Sequence, residues 1–256
     1  MKKLITTLLL LSGFLIAKDY ALIVGISKYK DKNIGTLSYI DKDIQTYREI
    51  LNQKGVRNID IKELTNNQAT KTEIKNYLEY VIQDIKQKDN RFFMFFAGHG
   101  INTKSIQYNS QILKARLDEY LTNSGVILPF EYDKENIANT IIIGKKDLRP
   151  YLEQIDKHIK KSLIIFDACY TGKSIRGDGD STPFIYSKEK DYPYNNIVYI
   201  ASATPRKKAR SGVLSKVLNK CLSKLNNLQE LRGCMNQNLK YFGQRATVIS
   251  KTRNSY

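Results

Sequence analysis

Arg91-Phe-Phe-Met-Phe-Phe-Ala97 is apolar at every position after the first, with no alternation of apolar and polar residues. A strand with one wet face alternates with a period of two, so an unbroken run demands cover on both faces. That is the mark of a parallel sheet sandwiched between helices. Tyr20-Ala-Leu-Ile-Val-Gly-Ile-Ser27, Ser162-Leu-Ile-Ile-Phe166 and Asn196-Ile-Val-Tyr-Ile-Ala201 have the same character. Between the runs lie amphipathic stretches. Asp41 to Lys54 carries Ile44, Tyr47, Ile50 and Leu51 at helical spacing and stops at Gly55, a C-terminal cap. Thr70 to Lys86 opens with Thr-Lys-Thr-Glu, a capping box. Val56 to Leu64 reads as a shorter strand, Asp147 to Ile159 as a third helix, and Gly212 to Leu225 and Asn227 to Tyr241 as two closing helices. The alternation predicts an α/β three-layer sandwich, a mostly parallel central sheet with helices on both faces. Ligands of such sheets sit beyond the carboxyl ends of the strands.

The N-terminus sets the compartment. Met1-Lys2-Lys3, the apolar run Leu4 to Ile16 and then Ala17-Lys18-Asp19 follow the order of a secretory signal, with cleavage expected after Ala17. An uncleaved anchor is the alternative, although the run is short for a membrane span. The expected division is therefore a signal peptide over residues 1–17 and one domain over 18–256, secreted or periplasmic. A formal charge of +17 invites a nucleic-acid reading. The basic pairs Lys145-Lys146, Lys160-Lys161 and Lys207-Lys208 are scattered between elements, however, and no nucleic-acid-binding motif accompanies them. They read as a solvated basic surface with no specific nucleic-acid partner.

Chemistry concentrates at two strand ends. The run ending at Ala97 leads straight into Gly98-His99-Gly100, where the glycines let the backbone turn and approach a ligand closely. The run ending at Phe166 leads into Asp167-Ala168-Cys169-Tyr170-Thr171-Gly172. A thiol peptidase needs a thiolate, a base that takes and returns its proton, and donors facing the developing oxyanion. His99 and Cys169 are candidates for the first two. The other histidine, His158, lies in the surface stretch Lys157-His-Ile-Lys-Lys161, and Cys221 sits in the helical pattern Val217, Leu218, Cys221, Leu222 as a small hydrophobe.

These motifs in this order, with Lys42-Asp43-Ile44 opening the first helix and Ala201-Ser202-Ala203 and Gly212 downstream, resemble the caspase and metacaspase family over about Tyr20 to Ile249. The resemblance implies a caspase-like fold and a cysteine endopeptidase in which His99 activates Cys169 through an acyl-enzyme. The backbone N–H groups of Gly100 and Cys169 would form the oxyanion hole. Metacaspases read Arg or Lys with carboxylates, and Asp43 and Asp167 match their two acidic pocket positions, implying peptide or protein substrates with basic residues. Asp43 as a plain helix N-terminal carboxylate is the structural alternative. Ala97 departs from a serine often found before Gly-His-Gly in metacaspases.

Two rival functions remain: a gingipain- or legumain-like peptidase of the same clan, and a caspase fold kept as a non-catalytic binding module. No cofactor is required by the sequence. Calcium activation is possible by the resemblance, although no EF-hand carboxylate spacing is present. Residues 173–195 read as a flexible loop whose Arg176, Lys188 and Lys190 are candidate self-processing sites. Three cysteines leave one over if Cys221 and Cys234, on consecutive helices, pair; two buried free thiols are the alternative.

Overall fold

The computed structural model describes residues 17–85, 89–101, 125–168, 192–202, 212–223, 227–244 and 246–251. The leader up to residue 16, residues 102–124, Cys169 and residues 173–191 with Arg176, Lys188 and Lys190 lie outside the described residues.

In chain order the elements are β1 (Asp19–Gly25), α1 (Ile40–Gln53), β2 (Ile61–Thr65), α2 (Lys71–Asp84), β3 (Arg91–Ala97) and β4 (Gly100–Ile101). They continue with β5 (Val126–Ile127), β6 (Ile142–Ile143), α3 (Arg149–His158), β7 (Lys161–Asp167), β8 (Ile197–Ala201), α4 (Val213–Leu222), α5 (Leu228–Lys240) and β9 (Thr247–Ile249). Six strands form one sheet in the order β2-β1-β3-β7-β8-β9, parallel except for β9, and β4-β5-β6 form a small antiparallel sheet. The apolar runs are buried on both faces, as their lack of alternation requires. Leu22, Val24, Phe92, Met94, Phe96, Ile164 and Phe166 pack under α2 and α3 with Ile74, Leu78, Leu152 and Ile155. Their neighbours Ala21, Ile23, Phe93, Phe95, Leu163 and Ile165 pack on the other face under α1, α4 and α5. Each fully buried Phe, such as Phe92, Phe95 and Phe96, contributes about 2 kcal/mol of hydrophobic stabilisation.

The helix signals read as expected. The Thr70 hydroxyl accepts the Glu73 N–H at 3.1 Å and opens α2. Gly55, at φ +77°, ends α1 while Val56 N–H reaches back to the Leu51 carbonyl. Two readings change. Val56 to Leu64 is not one strand: Asn58–Asp60 forms a 3-10 turn closed by the Arg57–Asp60 ion pair, which leaves Ile59 85% exposed, and β2 starts at Ile61. Nor do helices close the chain, because β9 returns antiparallel to β8.

Cys221 and Cys234 are disulfide-bonded across 5.9 Å between Cα atoms and tie α4 to α5. Thiol titration of denatured, unreduced protein should therefore find one free thiol, Cys169. Closing a loop with a sequence separation of 13 is worth about 3 kcal/mol, so Cys221→Ala with Cys234→Ala should lower stability by that order. Three titratable thiols would reject the bridge.

Candidate active site

Chain order reverses at β1: the chain moves outward to β2, then returns to β3 on the other side of β1. Open α/β sheets bind ligands at such a crevice beyond the carboxyl ends. The strands end there in register, Gly25 beside Ala97 and Ala97 beside Asp167. Two bonds hold that edge, Ile26 N–H to the Ala97 carbonyl at 2.9 Å and Gly98 N–H to the Asp167 carbonyl at 3.3 Å.

His99, half-buried, leaves the end of β3 and is gripped by the loop after β1. Its Nε2 lies 2.7 Å from the Gly35 carbonyl oxygen. A carbonyl only accepts, so Nε2 carries the proton and Nδ1 keeps its lone pair in the neutral ring. The His99 backbone N–H donates to the Tyr29 hydroxyl at 2.7 Å, and the two rings tilt against each other with centroids 5.3 Å apart. Gly98 is there for space rather than for a turn, since neither it nor Gly100 has a positive φ. A Cβ on Gly98 would stand 2.9 Å from both the Tyr29 hydroxyl and the Phe96 ring.

Gly100 begins the small sheet. Leu128 N–H donates to the His99 carbonyl at 3.0 Å while Gly100 faces Ile127, so Gly100 and Ile127 are a non-hydrogen-bonded pair. The Gly100 N–H is thereby left out of the ladder to β5.

Asp43 and Asp167 come together beneath this edge, 1% and 7% exposed. Asp43 stands in the first turn of α1, but its partners come from α4 and its cap: the Ser215 hydroxyl donates to it at 2.5 Å and the N–H of Gly212, just before α4, also bonds it. It is more than a helix-end carboxylate. Burial pushes its carboxyl up to about 6 against those bonds and the Lys42 charge. Burial pushes Asp167 up to about 7, and the Asp43 charge adds to the rise, while the Ser202 and Tyr47 hydroxyls oppose it. Tyr47, one turn after Asp43 and stacked on Phe95 at 4.7 Å, brings its hydroxyl toward the pair without closing a bond of normal geometry. Among the described residues, neither Asp167 Oδ2 nor Tyr47 Oη, both buried, has a hydrogen-bond partner.

The sequence singled out His99, Gly100, Asp43 and Asp167, and these gather at one end of the sheet. Cys169 follows the described Asp167-Ala168 directly but lies outside the described residues. Tyr29, Gly35, Tyr47 and Ser215 were not legible as site residues. Tyr47 read as part of an apolar helix face, and nothing local distinguishes a carbonyl such as that of Gly35. Among the described residues no group of three or more His, Cys, Asp or Glu is placed to hold a metal ion, and no helix is long and apolar enough to cross a membrane.

Comparison with known proteins agrees with this fold. A solved structure of protein GSU0716 from Geobacter sulfurreducens superposes with a TM-score of 0.60 at 12% identity, covering 91% of this chain and 92% of that one, which shows a shared fold. None of the curated proteins matches. The sequence profile of the caspase domain matches residues 18–254, nearly the whole length of the described sheet and its helices. The chain belongs to the caspase domain family, a family of cysteine peptidases.

Proposed function

We propose that the protein is an endopeptidase that cleaves after Arg or Lys, with Cys169 as nucleophile and His99 as general base. The register supports the pairing. Ala97 and Asp167 share a rung of adjacent parallel strands, about 4.8 Å apart, and His99 and Cys169 each stand two residues further along the chain. His99 Nδ1 takes the Cys169 proton, and the thiolate attacks the carbonyl carbon of the scissile bond. The oxyanion is received by the N–H groups of Gly100 and Cys169. His99 returns the proton to the leaving amine, and water then releases the acyl group from sulfur with His99 again as base. The Gly35 carbonyl steadies the imidazolium formed in between.

The observation that carries the basic preference is the buried pair Asp43 and Asp167, with Asp167 Oδ2 lacking a partner among the described residues. Two repelling carboxylates are relieved by a guanidinium or ammonium, which neutralises the pair and donates to the free oxygen. Secretion after cleavage at Ala17 belongs to the same proposal. The disulfide supports an oxidising compartment. Lys18 would also seat a new amino terminus: its backbone nitrogen donates to Asn90 Oδ1 at 2.8 Å and its ammonium pairs with Asp84. Exported protein should have the mass of a chain beginning at Lys18, and a mass including Met1 would defeat the cleavage.

Affinity labelling tests the activity. A peptide chloromethyl ketone ending in Arg should add one equivalent to the Cys169 peptide of wild type. It should react far more slowly with His99→Ala, and an Asp-ending ketone should leave wild type unlabelled. A legumain-like preference would show as labelling by a different P1 residue, and a non-catalytic module as none.

A further inference from the structure

We infer that Asn66, remote from the catalytic pair, is a positioning residue for the general base, acting through the loop from Ser27 to Leu37. The inference rests on His99 being that base. Asn66 has φ +44°, the only positive φ outside glycine among the described residues, a backbone state that Asn tolerates through its short polar side chain. Its Oδ1 accepts three donors at once: Ser27 N–H at 3.0 Å, Ser27 Oγ–H at 3.0 Å and Lys28 N–H at 3.1 Å.

The consequence is that Tyr29 is fixed from both sides. Lys28 N–H is tied to Asn66, and Lys30 N–H is tied to the Phe130 carbonyl at 3.0 Å. Phe130 is itself bonded through its N–H to the Ala69 carbonyl, and Ala69 N–H to the Asn66 carbonyl at 2.8 Å, so the circuit returns to Asn66. Leu37 N–H closes the loop on the Ser27 carbonyl at 2.9 Å. One short loop therefore holds His99 at two points, its backbone N–H by the Tyr29 hydroxyl and its imidazole by the Gly35 carbonyl. Asn66 sets the base of that loop. Catalytic groups must be held within about 0.5 Å, and a displacement of about 1 Å costs on the order of a hundredfold in rate.

All three bonds to Asn66 use its side-chain oxygen as acceptor, which makes the test selective. Asn66→Gly keeps the left-handed backbone and loses the oxygen; Asn66→Asp keeps both. Asn66→Gly should lower kcat on an Arg peptide by about ten- to a hundredfold with KM within about twofold, and should shift the pH profile of Cys169 alkylation by iodoacetamide upward. Asn66→Asp should restore both. Tyr29→Phe, which removes the acceptor for the His99 N–H, should lower kcat in the same way without touching Asn66. Wild-type kcat in Asn66→Gly, or equal losses in the Gly and Asp variants, would overturn the inference. His99→Ala is the reference for the reading beneath it: full activity in that variant would remove His99 as base, whatever Asn66 does.

Discussion

Cys169→Ala and His99→Ala should each abolish peptide cleavage, with turnover falling by at least about a thousandfold and the double variant no worse than either single. A nucleophile and its base act as one unit, so losing either removes the whole of their contribution. The fold should survive, because His99 stands beyond the end of β3 and outside both apolar clusters. Thermal unfolding should stay near wild type in both. If the protein processes itself in the segment after the nucleophile, active enzyme is nicked after Arg176, Lys188 or Lys190 and Cys169→Ala stays whole. Near-normal turnover in either variant would end the assignment, and equal nicking of wild type and Cys169→Ala would point to a contaminating protease.

Asp167→Asn should lower kcat/KM for Arg and Lys peptides by about a hundredfold, since truncating one partner of a buried charge pair costs about 2–5 kcal/mol. Alkylation of Cys169 by a small neutral reagent should not change. The wild-type pH dependence has a definite sign. A cation needs both carboxylates ionised, and Asp43 and Asp167 lose their protons only near pH 6 and 7, so kcat/KM for a basic substrate rises through that range. Stability of the free protein runs the other way. Both groups hold their protons more tightly when folded than the ordinary carboxyl, so stability is greatest below about pH 4 as far as these two groups are concerned. It is lost as pH rises to about 7. Asp167→Asn removes much of that loss, so at pH 8 the variant should be the more thermostable protein and the poorer enzyme. An unchanged substrate preference would take Asp167 out of the pocket.

Much of this site was legible because its residues sit where hydrophobic patterning changes abruptly. The apolar runs ending at Ala97 and Phe166 mark two buried strands, and the reactive types appear directly after them. Asp43 was harder, since an acidic residue in a first helical turn is ordinary. Its contacts with Ser215, 172 residues away, and with the Gly212 N–H distinguish it. Asn66 carries no signal at all beyond a turn-forming residue after a short strand.

Strands β1, β3, β7 and β8 and their burial on both faces follow from the chain alone, because two-faced burial and helix capping are local demands written in consecutive residues. The tertiary structure decided which groups meet: that β1, β3 and β7 end on one rung, that Tyr29 and Gly35 hold His99, and that Tyr47 faces two carboxylates from different elements. It also decided that Cys221 and Cys234 bond, and that β9 rather than a helix closes the sheet. Those outcomes depend on strand order and on which faces of separate helices come into contact. Such choices are set by packing the whole core at once, so no window of neighbouring residues contains them.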